Sequence, residues 1–339
     1  MAESLAVKYR PREFTDCVGQ SSVIKILERQ VQLKEYKHVY LFTGPSGTGK
    51  TTIARILASK INGSLAGLEE LDAASNNGVD NVRSIIKGAQ ERSISSKYKI
   101  YIIDECHALS NQAWQAFLKC IEEPPEFTIF IFCTTDPQKI PATIVNRCQR
   151  YNLSKISTEQ IRSRLEYICK AEGFTNYFES IDYISKISDG GARDAIATLE
   201  KVASLGNDIT IENTLSALGT YSYDMFFHLV NSIIDGNTAE VSKIVSELYH
   251  KGNDLKLFVD SFFSFCLDVT KYCLFKSTDM IGIPSSLVDK LEASVNFDNP
   301  EKYYMYIVDK LLELKNKIKN DTSVRTTVEA TFIHISRWE

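Results

Sequence analysis

Two short stretches carry the residue types of phosphate chemistry. "GPSGTGKTT" (44–52) fits the pattern of a glycine, four free positions, then Gly-Lys-Thr. In such a loop Gly44, Gly47 and Gly49 let backbone N–H groups turn inward around phosphates, and Lys50 reaches the β and γ phosphates. The Thr51 hydroxyl is offered to Mg²⁺, while Pro45, Ser46, Thr48 and Thr52 complete the loop and the first helical turn. "IYIIDECH" (100–107) ends an apolar run in two adjacent carboxylates. There Asp104 would hold Mg²⁺ through water, and Glu105 would orient and deprotonate an attacking water in line with the γ phosphorus. "CTTDPQK" (133–139) ends the next apolar run in two hydroxyls. Thr135, with Thr134 as the alternative, is read as the group that holds the lytic water and senses the γ phosphate. The chemistry these residues predict is ATP hydrolysis with Mg²⁺. Cys106 and His107 receive no chemical role; packing or capping is expected of them.

The elements that must position these groups read as alternating helices and strands. "VIKILERQVQL" (23–33) has apolar residues at helical spacing, and "IARILASKI" (53–61) supplies the helix after the glycine loop. "HVYLFTG" (38–44) is a β-rich run stopped by glycine, and "KIYIID" (99–104) and "FTIFIFCTT" (127–135) are continuous apolar runs. Such runs are expected of parallel strands covered on both faces, so residues 1–155 predict an α/β nucleotide-binding domain with a parallel sheet. Residues 156–206 read as a small domain of short helices (157–173, 178–191 and 192–206). Residues 207–339 read as an all-helical domain of more apolar helices (222–236, 238–252, 254–275, 286–295, 300–319 and 323–338). Their apolar faces must be buried inside a bundle, between subunits, or both.

Bulk properties set the frame. A chain of 339 residues is expected to hold two or three domains. With 44% hydrophobic and 24% charged residues it has a globular composition. A net charge of −4 gives no global basic field, which argues against a DNA-coating protein but not against local phosphate contacts. The start "MAESLAVKYRPREF" carries no apolar run, so no signal peptide is expected. The apolar run 255–275 carries Asp260, Asp268 and Lys271, so a buried helix is expected rather than a membrane span. Eight cysteines without a C-x-x-C pair predict reduced, buried thiols in a cytoplasmic compartment.

Several longer segments add a family resemblance. They are "LAVKYRPREFTDCVGQ" (5–20), "GPSGTGKTTIAR" (44–55), "DAASNNGVDNVR" (72–83), "IYIIDECHALS" (100–110) and "FLKCIEEPPE" (117–126). "TTDPQKIPATIVNRC" (134–148) and "DGGARDAI" (189–196) follow, with a weaker match in "SVRTTVEATFIHI" (323–335). In this order the chain resembles the clamp-loader ATPases of the AAA+ superfamily, in particular the gamma/tau motor subunit of bacterial DNA polymerase III. The resemblance implies an α/β P-loop AAA+ domain with a parallel sheet, then a small helical lid domain, then an all-helical collar that oligomerises. One departure stands out. Bacterial members carry a four-cysteine zinc module before the "DAAS" segment, where this chain has "INGSLAGLEEL" (61–71). Thiolates or imidazoles at close spacing are missing there, so no zinc is expected. The departure suits a reduced relative such as a phage-encoded one. The sequence ends with the collar, so a tau-like extension is expected to be absent.

The resemblance also assigns residues. "ATIVNRCQR" (142–150) has no catalytic look of its own. In clamp loaders the matching arginine enters the ATP site of the neighbouring subunit, which makes Arg147 an arginine acting in trans, with Asn146 where serine is usual. Arg193 resembles the lid arginine that reaches the subunit's own γ phosphate, with Gly190 and Gly191 opening the helix entry. Tyr9, Arg10, Pro11 and Val18 match the segment lining the adenine pocket. Asn76, Asn77, Gly78 and Arg83, with Lys139 as a further candidate, are read as DNA phosphate contacts at a helix start. Ile94, the lone apolar residue of the polar stretch 87–99, is the expected clamp contact.

The implied function is ATP-driven loading of a ring clamp onto primer–template DNA in replication. The implied partners are a sliding clamp and other loader subunits in a pentamer with a second subunit type. The expected place is the bacterial cytoplasm or a phage-infected host. Another AAA+ DNA-associated ATPase, of branch-migration or initiator type, usually appends a winged helix whose strand and turn signals are lacking here. A non-hydrolysing structural subunit generally loses the loop lysine or the acidic pair, and this chain keeps both.

Overall fold

The computed structural model describes residues 3–219, 221–278, 281–284 and 287–337. The chain forms two compact units, one of residues up to 168 with 188–200, the other of 169–187 with those from 201 onward. The stretch 156–206 thus contributes to both.

The first unit begins with α1 (Leu5–Lys8) and α2 (Ser21–Leu33). It continues through β1 (Val39–Thr43), α3 (Lys50–Asn62), β2 (Leu68–Asp72), α4 (Val79–Ala89), β3 (Lys99–Asp104) and α5 (Asn111–Glu122). Next come β4 (Thr128–Thr134), α6 (Ala142–Val145) and β5 (Gln149–Asn152), then α7 (Thr158–Glu172). The five strands make one parallel sheet in the order β2-β3-β4-β1-β5.

Period-two alternation divides the sheet's side chains between two cores. Tyr40, Phe42, Ile100, Ile102, Ile129 and Ile131 pack with Leu27 of α2 and Ile53 and Leu57 of α3. Val39, Leu41, Tyr101, Ile103, Phe130 and Phe132 pack with Val82 of α4 and Trp114 and Phe117 of α5. Because both faces are covered, every residue of β1 and β4 is buried, which is why these strands read as unbroken apolar runs. The strands β2 and β5 add to the three read from the sequence. Both lie at sheet edges and are largely exposed, so they carry polar residues that hide the strand signal.

In the second unit α8 (Phe178–Ile187) packs against α10 (Ile211–Leu218), and Ser180 Oγ donates to the Ile209 carbonyl at 2.7 Å. Between them in sequence, α9 (Ala192–Ala203) starts in the first unit. The remaining helices are α11 (Tyr223–Ile234), α12 (Thr238–His250), α13 (Leu255–Phe275), α14 (Val288–Ser294), α15 (Pro300–Ile318) and α16 (Val324–Ile335). They enclose one core in which Phe262 stacks on Phe258 and meets Phe226 and Phe332 at a tilt. The expected helices are present within a few residues; Ser286 and Trp338, at the ends of two expected ranges, lie outside the described residues. The apolar run 255–275 is the buried helix α13, and no helix among the described residues is long and apolar enough to cross a membrane.

Candidate active site

The sheet order sets β1 between β4 and β5, with β3 beyond β4. Loops that leave the carboxyl ends of such strands converge on one edge, the usual ligand crevice of an open α/β sheet. The glycine loop leaves β1 and enters α3 there. Gly44 N donates to the Thr134 carbonyl at 3.2 Å, which ties the loop to the end of β4. Gly44 has φ +148, and a Cβ on it would lie 2.3 Å from the Leu153 carbonyl oxygen. Gly47 has φ +71, and its Cβ would meet Gly191 Cα at 2.9 Å. Only glycine meets both demands.

Lys50 opens α3 and is buried, its Nζ donating to the carbonyls of Gly44 at 2.9 Å and Pro45 at 2.8 Å. Burial lowers its pKa, while the charges of Glu105, Cys133 and Asp104 act the other way. Thr51 Oγ1 donates to Asp104 Oδ2 at 2.6 Å. This hydroxyl and carboxylate side by side are hard oxygen donors of the kind Mg²⁺ selects, and the loop beside them fits a triphosphate. The residues present therefore fit ATP with Mg²⁺.

Glu105 follows Asp104 with a left-handed backbone, φ 44 and ψ 42. Its N–H donates to Asp104 Oδ1 at 2.9 Å. Its carboxylate Oε2 accepts from Thr135 Oγ1 at 3.0 Å and lies 3.3 Å from His107 Nδ1. His107 Nδ1 is also 3.1 Å from Thr134 Oγ1. Thr135, rather than the buried Thr134, is therefore the hydroxyl that meets Glu105.

A cavity of about 210 Å³ lies over the loop. It is lined by Ser46 to Thr52 and by Asp104 and Glu105, with Tyr9, Arg10, Pro11 and Val18 from the N-terminal segment and Arg193 from α9. Ala192 N donates to the Gly47 carbonyl at 3.1 Å, so the start of α9 is pinned to the phosphate loop and Arg193 follows it into the cavity wall. Burial and the Arg55 charge lower the Arg10 pKa. Two further residues contribute, Arg164 and His107. Arg164 lines the same cavity, and its Nη2 donates to the Tyr9 carbonyl at 2.6 Å; in sequence it is one more arginine on an amphipathic helix. His107, expected from sequence only to pack or cap, lies against Glu105 and Thr134; its place after the acidic pair is a usable signal.

The other predicted residues stand apart from this cavity. Arg147 is exposed; its Nη2 lies 2.5 Å from Glu122 Oε1 and its Nη1 donates to the Thr143 carbonyl at 2.7 Å. Asn76, Asn77 and Gly78 lead into α4, with Gly78 as its N-cap residue. Arg83 pairs with Asp80 at 3.1 Å and Lys139 with Asp136 at 3.2 Å. Ile94, beyond the end of α4, is fully exposed. Residues 61–71 form the end of α3, a turn and most of β2. Among the described residues, no group of three or more His, Cys, Asp or Glu is placed to hold a metal ion. All eight cysteines are free.

Comparison with known proteins places these features among relatives. The family described as DNA polymerase III, delta subunit, matches residues 68–157. DNA polymerase III subunit tau of Bacillus subtilis is 39% identical over 280 residues, 76% of this chain and 50% of that protein. The gamma/tau subunit of Mycoplasma genitalium is 28% identical over 332 residues, 91% of this chain and 55% of that protein. The chain thus spans about half the length of the curated relatives it matches. Among solved structures, the Holliday junction branch migration motor RuvB of Thermotoga maritima aligns with a TM-score of 0.52 at 20% identity, covering 67% of this chain and 79% of that one. At that identity the likeness is one of fold.

Proposed function

We propose that this chain, an AAA+ protein resembling the gamma and tau subunits of DNA polymerase III, is the ATP-hydrolysing motor of a sliding-clamp loader. The observation that carries the reading is a division of labour. Lys50, Thr51, Asp104, Glu105 and Arg193 gather around one cavity, with Thr135 bonded to Glu105, whereas Arg147 stands outside it on the surface. The site gathers a phosphate grip, a hydroxyl–carboxylate pair for Mg²⁺ and a base, while Arg147 lies on the surface, where another subunit's nucleotide could meet it.

In this mechanism the loop N–H groups and the Lys50 ammonium grip the phosphates of ATP. A buried ammonium interacts more strongly with phosphate than a solvated one, because fewer waters screen it. Thr51 and Asp104 would hold Mg²⁺, which neutralises charge on the phosphates when bound. Glu105 takes the proton of the attacking water, and Thr135 keeps its carboxylate from rotating away. Arg193 senses the γ phosphate from the start of α9, so loss of that phosphate releases the helix. Arg147 of one subunit would complete the site of the next, where such an arginine contributes about 10³-fold or more to turnover.

Assembly follows from the same division. The segment 156–206 acts as the lid, and the helical domain 207–339 as the collar that joins subunits into a pentamer with a second subunit type. Asn76, Asn77, Gly78, Arg83 and Lys139 face duplex phosphates, and Ile94 enters a pocket of the clamp. These contacts are local, so a net acidic chain can make them. The test is steady-state ATPase of the purified chain alone, then with its clamp, loader partners and primer–template DNA. Strong stimulation by primed DNA, lost in Arg147→Ala while ATP binding survives, is expected. Equal, DNA-independent activity in both proteins would remove the loader mechanism. Clamp binding by an Ile94→Asp variant that matches wild type would remove the assigned contact.

A further inference from the structure

The Glu-Glu-Pro-Pro run (122–125) is a distinctive part of the chain that has no task in ATP hydrolysis as described. Its geometry gives it one. α5 ends at Glu122, and Glu123 leaves the helix at φ −128, ψ 69, since a following proline disfavours the helical region. Pro124 and Pro125 thus stop the helix and fix Glu122 in its last turn. A carboxylate there faces the negative end of the helix dipole and is disfavoured. The compensation lies across the surface in Arg147, whose Nη2 is 2.5 Å from Glu122 Oε1.

We propose that Glu122 is a positioning residue that holds the Arg147 guanidinium ready for the neighbouring subunit's nucleotide. The inference rests on the reading of Arg147 as an arginine acting in trans. Two contacts from different directions define the guanidinium plane: Glu122 on Nη2 and the Thr143 carbonyl on Nη1, at 2.7 Å. The next residue anchors the backbone, because Cys148 is half-buried and its Sγ donates to the Ile144 carbonyl at 3.2 Å. An arginine side chain has large rotamer freedom, and an arginine already ordered meets a phosphoryl group at less entropic cost. Both partners are 39% exposed, and ion pairs so open to solvent are weak. Glu122 can therefore orient the guanidinium without keeping it from a triphosphate. The remaining N–H donors of Arg147 serve that ligand.

A double-mutant cycle tests this in the assembled loader with primer–template DNA. Glu122→Ala is expected to lower kcat about tenfold with the KM for ATP unchanged, since misplacing a catalytic group costs turnover. Glu122→Gln, whose amide oxygen still accepts from the guanidinium, is expected to recover most of the loss. In an Arg147→Ala background, Glu122→Ala should add nothing, because the two residues act as one unit. Undiminished turnover in Glu122→Ala, or a loss that persists in full beside Arg147→Ala, overturns the proposal. A turnover higher than wild type would also overturn it, by showing that Glu122 restrains the arginine. If Arg147→Ala alone leaves the loader unaffected, the trans arginine itself falls, and the assignment of Glu122 falls with it.

Discussion

Glu105, the proposed base, stores a small backbone strain. A left-handed backbone at a non-glycine residue costs on the order of 1 kcal/mol, and Glu105 has φ 44. Its N–H bond to Asp104 and its carboxylate's contact with Thr135 hold it there. Glu105→Gln keeps the shape and removes the base. We expect kcat to fall about 10² to 10⁴-fold with nucleotide affinity retained, measured by single-turnover hydrolysis beside equilibrium ATP binding. Hydrolysis near the wild-type rate would place the base elsewhere. The thiols offer a second check. Burial pushes the half-buried Cys17 and Cys148 up to about 12. At pH 8 such thiols hold roughly a thousandfold less thiolate than at their ordinary pKa. Alkylation of these two in the folded protein should be correspondingly slow and become fast on denaturation; rapid labelling of either at pH 8 would contradict its burial. Sequence exposed Lys50, Thr51, Asp104 and Glu105 because local backbone geometry fixes what each can reach. It did not expose Arg164, whose partner Tyr9 is 155 positions away, or Glu122, whose partner only folding brings near.

At the scale of elements, the phosphate loop and α9 touch through glycines. Gly47 and Gly191 approach so closely that a Cβ on Gly47 would stand 2.9 Å from Gly191 Cα, at a backbone φ of +71. Gly47→Ala must then open the loop or lift the start of α9, and either change moves Arg193 within the cavity wall. We expect this variant to bind ATP at least about tenfold more weakly while keeping its helical content, read by nucleotide titration beside circular dichroism. Unchanged affinity would mean that the junction adapts. The elements themselves were unevenly legible. β1, β3 and β4 are buried on both faces, so their sequences are continuous apolar runs. β2 has the exposed Glu69, Glu70 and Asp72, and β5 buries only Tyr151; edge strands need charge more than apolar content. α10 is short, with Thr214 its one buried residue, and eight residues give little room for helical periodicity.

At the scale of the whole molecule, the nucleotide cavity and the aromatic helical cluster belong to different units. The ATP cavity is built from residues of the first unit alone, and the aromatic cluster around Phe262 from residues of the second. A chain that divides into two such units is not expected to unfold as one two-state system. Calorimetry should show more than one transition. ATP with Mg²⁺ at about a hundred times its dissociation constant adds roughly 2.7 kcal/mol to whatever binds it, so the transition of the first unit should rise. Phe262 is fully buried between Phe226, Phe258 and Phe332. Phe262→Ala should cost about 3–5 kcal/mol and lower the other transition. Lys50→Ala is the control, since it should remove the nucleotide shift and leave the Phe262 effect intact. A single transition that both ligand and substitution move together would show that the units unfold as one. Nucleotide bound in the first unit would then stabilise the whole chain rather than one separately stable part.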